Sequence, residues 1–222
     1  HGSMTSYFGY DPDALEHSNY DLFLHKGQVP DGLTAQLLLP TSNEQIALLP
    51  ASTALATLER QSPGQSGLGL VIARALAQLW QDYDYAIIDS PPLLGVLMVN
   101  ALAASQQLII PVQTEHLALM GLERMVNTLA MINRSRKQAL PFCIVPTLFD
   151  RRTQASMSTL RVLRDSHPET LWQGFIPVDT RLRDASRAGL TPSQFDGKSR
   201  GAIAYRALLK HMLTQQLTPQ PV

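Results

Sequence analysis

Tyr85-Ala86-Ile87-Ile88-Asp89-Ser90-Pro91-Pro92 is the stretch on which the reading of this chain turns. Four residues without charge lead to one carboxylate, and two residues without amide protons come close behind it. A short apolar run of this kind predicts a strand covered on both faces, as strands of parallel sheets are. Open α/β sheets bind ligands at the carboxyl ends of their strands. A carboxylate there can hold a magnesium ion, usually through water, beside the phosphates of a nucleotide. Pro91 and Pro92 fix the path by which the next loop leaves. An Asp at a strand end also serves as a helix cap or a turn residue. The surrounding chain has to decide between these uses.

Outward from that stretch, short apolar runs alternate with helix-length amphipathic segments, the sign of βαβ units. Strands are predicted at 46–49, 85–88, 108–112, 142–145 and 171–176. Leu68, Val71, Ile72, Ala75, Leu76 and Leu79 recur at steps of three and four and predict one helix ending near Tyr83. Further helices fit 117–132, 153–165 and 201–213. The first forty-five residues read as turns and short helices, with Pro30, Asp31 and Gly32 at one turn. The tail 214–222 carries two prolines and three glutamines and is expected to fray. The chain is expected to be a single domain over 1–222.

The 222 residues are 45% hydrophobic and 16% charged, enough apolar material for one substantial core. No uninterrupted apolar run reaches membrane-spanning length, and no secretory signal opens the chain, so it reads as cytosolic and soluble. Net charge is zero, but Lys and Arg number 4 against 12 Asp and Glu in residues 1–133, and 14 against 6 in residues 134–222. Most of the later cations are arginines, whose planar fork suits phosphate and carboxylate. Arg151 and Arg152 come after one predicted strand and Arg181 and Arg183 after the next, so a parallel sheet would bring all four to one edge. Such clusters can grip neighbouring phosphates without reading bases. Surface ion pairing is the alternative use of the same arginines.

Asp89-Ser90-Pro91-Pro92 resembles the Asp-x-Pro-Pro switch II motif of the ParA/MinD family of deviant P-loop ATPases. Downstream, Pro111-Val112-Gln113-Thr114-Glu115 with Ala118, Gly121 and Leu122 resembles that family's strand and loop leading into a long helix. The segments from Val145-Pro146-Thr147 to Arg151-Arg152-Thr153, and from Ile176-Pro177-Val178-Asp179 to Arg183-Asp184-Ala185, resemble the two that surround adenine in ParA proteins and contribute to their DNA-binding surface. The collinear order of these motifs is more specific than any one of them.

The resemblance implies an α/β fold: a doubly wound, mostly parallel sheet with helices on both faces, truncated on its N-terminal side. It implies ATP or ADP with Mg2+ as ligands of the intact protein, Asp89 as the magnesium and switch II residue, and Pro91 and Pro92 as its switch loop. Pro146, Thr147, Pro177 and Asp179 would lie about the adenine, and Arg151, Arg152, Arg181 and Arg183 would bind DNA non-specifically. The implied partners are a second copy of the chain, DNA, and a ParB-like or chemotaxis-array adaptor, at the nucleoid or a cell pole. The segments 156–163 and 183–195 look most like the branch that places chemotaxis arrays, although cargo is not written in residue chemistry. An ATP-dependent amide-forming synthase on the same fold, or a binding module without nucleotide, are the rival classes.

Residues 1–10 resemble the segment just after the family's switch I motif, which would place the Lys-Gly-Gly-x-Gly-Lys-Thr loop ahead of residue 1. His1-Gly2-Ser3 alternatively reads as the remnant of a tag before Met4. Backbone amides, lysines and a hydroxyl of that loop cradle phosphate and magnesium. This chain alone is therefore expected to bind ATP poorly and to be inactive. Gly197-Lys198-Ser199 does not replace the loop, because Pro192 stands where its first glycine belongs. The six histidines never fall at three- or four-residue spacing, which leaves zinc without support. Cys143, Met98, Met120, Met125, Met131, Trp80 and Trp172 are expected in the core. The stripe Tyr205, Leu208, Leu209 and Met212 is expected to pack inward rather than to meet a membrane.

Overall fold

A computed structural model describes residues 2–61, 67–92 and 95–216. These divide into two compact units, His1–Gln106 and Gln107–Val222. Each has its own core.

In the first unit, short helices α1 (Ser3–Tyr7) and α2 (Leu33–Gln36) flank a 3-10 turn at Asp21–His25, as the turn-rich sequence implies. The buried Thr5 hydroxyl donates to the Ala51 carbonyl at 3.1 Å and accepts the Ala51 amide at 2.9 Å, pinning α1 to the chain beyond β2. Strands β1 (Leu39–Pro40) and β2 (Ala47–Leu48) pair antiparallel. The run at 46–49 thus forms a shorter strand than expected, and not a parallel one. The cause is local: the Thr41 hydroxyl donates to the carbonyls of Asn43 and Ile46, closing a tight turn that only an antiparallel pair can accommodate.

Helix α3 (Leu55–Gln61), a 3-10 turn at Leu68–Leu70, α4 (Val71–Ala77) and α5 (Val96–Ala104) complete this unit. Its core gathers Leu22, Phe23, Leu55, Leu68, Val71 and Ala75. The helix expected to reach Tyr83 stops at Ala77, where the side-chain amide of Gln78 turns to donate to the carbonyls of Val29 and Pro30. Trp80, beyond that stop, is 71% exposed and not a core residue. Asn100 on α5 is fully buried; it donates to the carbonyls of Leu68 and Val96 and accepts the Ile72 amide, fixing α5 to the start of α4.

The run 85–88 is not a strand here. Strand formation requires a partner ladder, and none of the described residues offers one; Tyr85 and Ile87 are 68% and 88% exposed. Apolar composition predicts a strand only where an edge is present to receive it.

The second unit keeps closer to its sequence pattern. Strands β3 (Leu108–Gln113) and β4 (Phe142–Thr147) pair in parallel, in register from Leu108 opposite Phe142 to Gln113 opposite Thr147, and α6 (His116–Asn133) connects them. Alternation along β4 sends its side chains to opposite faces. Ile144 packs with Ile110, Val112, Leu122 of α6 and Leu163 of α7 (Gln154–Ser166). Cys143 and Val145 pack with Trp172, Ile176, and Leu208 and Met212 of α10 (Arg200–Gln216). Helices therefore cover both faces of the parallel pair. Burial pushes the Cys143 thiol up from its ordinary value, as suits a packing residue. Met98 is buried and Met125 packs against the core, whereas Met120 and Met131 are exposed on α6.

The strand expected at 171–176 is reduced to isolated parallel bridges, Ile144 to Leu171 and Phe149 to Pro177. The Ile144 amide donates to Thr170 and the Trp172 amide to Ile144, so the ladder begins correctly. The next position on that side of β4 is Pro146, which has no amide proton to give. Its carbonyl is reached by the Ile176 amide at 2.8 Å, so the neighbouring segment advances four residues while β4 advances two. Residues between Trp172 and Ile176 loop out and no continuous strand forms. Two short helices, α8 (Thr180–Arg187) and α9 (Pro192–Asp196), lie outside the helices expected from apolar spacing. Of the tail expected to fray, Thr214 to Gln216 continue α10. Residues 217–222 lie outside the described ones.

Candidate functional site

The carboxyl ends of β3 and β4 gather most of the residues singled out in the second unit. Just beyond β3, the Thr114 amide donates to the Thr147 carbonyl at 3.1 Å and continues the ladder. The buried Thr114 hydroxyl donates to the Ser156 hydroxyl at 3.0 Å, joining this edge to the first turn of α7. Leu148, next to Thr147, adopts a left-handed backbone at φ 51 and leaves its side chain 47% exposed. A bulky residue held so is strained by about 1 kcal/mol or more, and such strain gathers at ligand-binding edges.

The four residues expected about adenine behave differently from one another. Pro146 is fully buried within β4, so its ring shapes the strand rather than a surface. Thr147 and Pro177 are half-buried, and Pro177 bridges Phe149. Asp179 caps α8: one carboxylate oxygen accepts the Arg181 amide at 3.0 Å, and the other accepts the Gly201 amide at 2.8 Å. The Gly201 bond is the main reason the Asp179 carboxyl is held below its ordinary range. This one side chain ties the starts of α8 and α10 together.

The Phe149–Pro177 bridge sets the two arginine-bearing segments side by side, although no continuous strand leads into the second. All four arginines are exposed. Their surroundings separate them. Arg152 forks onto Asp150, with Nε at 2.9 Å from one carboxylate oxygen and Nη2 at 2.7 Å from the other. The guanidinium holds the Asp150 carboxyl down at about 2. Arg181 lies 3.6 Å from Asp196 and 4.0 Å from Asp184. Arg151 and Arg183 have no ion-pair partner among the described residues. Arg200, whose guanidinium donates to the Val178 carbonyl, acts electrostatically on both Asp150 and Asp179 and so stands between the two segments.

Sequence reading passed over Asp150, Thr114 with Ser156, and Arg200. The spacing Asp150-Arg151-Arg152 was a usable signal, since Asp readily bonds the backbone amide two residues on. It does so here at 3.0 Å. The buried hydroxyl pair left no mark in the sequence.

Asp89 belongs to the first unit. It is exposed, and among the described residues its carboxylate has no hydrogen-bond partner. A free carboxylate of this kind fits a hydrated magnesium ion, which prefers one or two carboxylates and keeps several waters. Pro91 is half-buried and Pro92 exposed, before residues 93 and 94 outside the described set. Beyond them, the Glu59 carboxylate accepts the amides of Val96 and Leu97 at 3.2 and 3.1 Å and caps α5. No cluster of three metal-ligating side chains occurs among the described residues. No described helix is long and apolar enough to cross a membrane.

A family profile described as AAA domain matches residues 1–142. The chain is 32% identical over 212 residues to the sporulation initiation inhibitor protein Soj of Bacillus subtilis, covering 95% of this chain and 82% of Soj. It is 28% identical to the chromosome partitioning protein ParA of Myxococcus xanthus, covering 99% and 76%. Among solved structures, cobyrinic acid a,c-diamide synthase from Mycobacterium smegmatis with bound ATP analogue and magnesium superposes with a TM-score of 0.79 at 32% identity, covering 99% of this chain and 80% of that one. McdA from Cyanothece superposes equally well, at 0.79 over 96% of this chain and 83% of that one; its 17% identity speaks for the fold alone. With a profile over more than half its length and a Soj relative matched nearly end to end, the chain belongs to the AAA domain family and is a ParA/MinD-type P-loop ATPase.

Proposed function

We propose that this protein positions cargo inside the cell by ATP-dependent dimerisation and non-specific DNA binding, with slow hydrolysis ending each binding cycle. The observation that carries this reading is the exposed set Arg151, Arg152, Arg181 and Arg183, delivered by two segments bridged at Phe149 and Pro177. Guanidinium groups at one sheet edge neutralise phosphates and release counterions without reading sequence. Magnesium, bound with the nucleotide, supplies charge neutralisation at the phosphates. Asp89 is the carboxylate of this chain that would hold it, through water, and Thr147, Pro177 and Asp179 would border the adenine. Asp179 does so as a scaffold, since backbone amides engage both of its oxygens.

The partners in this reading are a second copy of the chain, duplex DNA and an adaptor that links the ATPase to its cargo. The location is the cytoplasm, at the nucleoid or a pole. Chromosome partition is named for relatives, and receptor-array placement remains the finer proposal from the segments 156–163 and 183–195. A fluorescent fusion that tracks receptor clusters, rather than replication origins, would separate the two.

The synthase neighbour motivates a second reading, ATP-dependent amide formation. That chemistry needs a substrate pocket with its own acid–base groups. A cavity of about 370 Å³ in the first unit is bordered by Leu24, His25, Lys26, Gln28, Val29 and Pro30. Positioning is the stronger reading because the Soj and ParA relatives and the exposed arginine set both support it.

The test is retention of unrelated duplex DNA by the full-length protein with Mg-ATP, against a variant with glutamate at all four arginine positions. Retention by the native protein and its loss in the variant are expected. Equal retention by both at low salt would overturn the assignment.

A further inference from the structure

The four arginines are alike in sequence and unlike in the structure. Asp150 and Arg152 form a two-pronged pair, with three nitrogen-to-oxygen contacts between 2.7 and 3.2 Å. The Asp150 side chain is 21% exposed and that of Arg152 is 83% exposed. The carboxylate is the anchored member. One of its oxygens also accepts the Arg152 amide, and its own amide lies near the Ser156 hydroxyl, so it is built into the turn that opens α7. The guanidinium is the member free to swing.

A carboxylate and a phosphate compete for the same fork of guanidinium donors. Arg152 can turn its Nε–Nη2 fork to a phosphate only by leaving Asp150, and a phosphate that takes the remaining Nη1 donors, or the vacated fork, meets repulsion from the adjacent carboxylate. Arg181 is held more loosely, at 3.6 and 4.0 Å from Asp196 and Asp184. Arg151 and Arg183 face no such competitor among the described residues.

We propose that Asp150 is an intramolecular competitor for Arg152 on the phosphate-binding face, so that duplex DNA is gripped chiefly by Arg151 and Arg183, less by Arg181 and least by Arg152. This rests on the DNA-binding reading above and adds to it a ranking and a restraint. The restraint sets how strongly and how salt-sensitively the face holds a polyanion, and removing the Asp150 charge releases one further cation.

The experiment measures affinity for duplex DNA of arbitrary sequence over a salt series, using the full-length protein with Mg-ATP and single neutral substitutions. Arg151→Gln and Arg183→Gln should each weaken binding about fivefold or more and lower the salt slope by about two, one contact from each copy of the dimer. Arg152→Gln should cost less than about twofold. Asp150→Asn should tighten binding about threefold and steepen the slope by about two, one released cation from each copy. Asn can still accept the Arg152 amide, so the turn is retained, and an unchanged melting temperature verifies this. In the Asp150→Asn background, Arg152→Gln should now weaken binding as much as Arg151→Gln does.

An Arg152→Gln loss equal to that of Arg151→Gln in the native background would overturn the proposal, as would an Asp150→Asn variant with native affinity and slope. Either result leaves DNA binding itself standing. A native protein that holds no duplex at any salt would remove the DNA-binding reading and this proposal together.

Discussion

Asp179 shows how one carboxylate can be marked for two tasks. Its resemblance-based place is beside adenine, while its bonds are to the amides of Arg181 and Gly201. An N-cap of this kind stabilises by about 1 kcal/mol, and Asp179→Ala should lower the melting temperature by about 2–4 °C or somewhat more, since two helix starts lose an acceptor. The carboxyl is held below its ordinary value, so its contribution is present above the unfolded-state pKa near 4 and fades as pH falls through the lower folded-state value. The stability gap between native protein and Asp179→Ala, read from urea midpoints, should therefore narrow from pH 7 towards pH 3. A gap that widens in acid would show that the bonds to Arg181 and Gly201 are not what stabilises the folded carboxylate. The Asp179 cap and the capping box of Thr191 and Gln194, with Pro192 in its first turn, went unread in the sequence, although these residue types are the usual signal of a helix start. Low apolar content leaves α8 and α9 without the apolar stripe that marks the other helices of the second unit.

Elements with long, regular patterns were legible, and those that depend on a neighbour were not. The helices α6, α7 and α10 and the strands β3 and β4 could be read because their apolar spacing is strong and their partners lie close in sequence. The runs 46–49, 85–88 and 171–176 have the composition of strands, yet a tight turn, a missing ladder and the amide-free Pro146 decide their fate. Pairing is a property of two segments, and one segment's composition cannot report it. The two-sided core around β4 makes a quantitative expectation at this scale. Leu163 is fully buried where α7 meets Ile144, so Leu163→Ala should destabilise the protein by about 2–5 kcal/mol in chemical denaturation. Val162, 45% exposed on the same helix, should tolerate alanine within about 0.5 kcal/mol. Equal losses at the two positions would mean that α7 does not pack on the sheet as described.

At the scale of the molecule, the charge that cancels overall is divided along the chain, acidic to residue 133 and basic beyond. Asp89, proposed for magnesium, lies in the first unit, and the arginines proposed for DNA lie in the second. Family membership was legible from collinear motifs, because their order along the chain is more specific than any one of them. The inequality among the arginines was not legible, because it depends on which carboxylates fold beside them. The most direct test is a fluorescence titration of duplex DNA with the full-length protein, with and without Mg-ATP, at two salt concentrations. Binding should require Mg-ATP and weaken about 10²-fold when salt rises fourfold, as for about four phosphates neutralised by Arg151 and Arg183 from two copies. Binding that is indifferent to nucleotide, or that survives the added salt, would contradict a nucleotide-gated arginine grip on DNA.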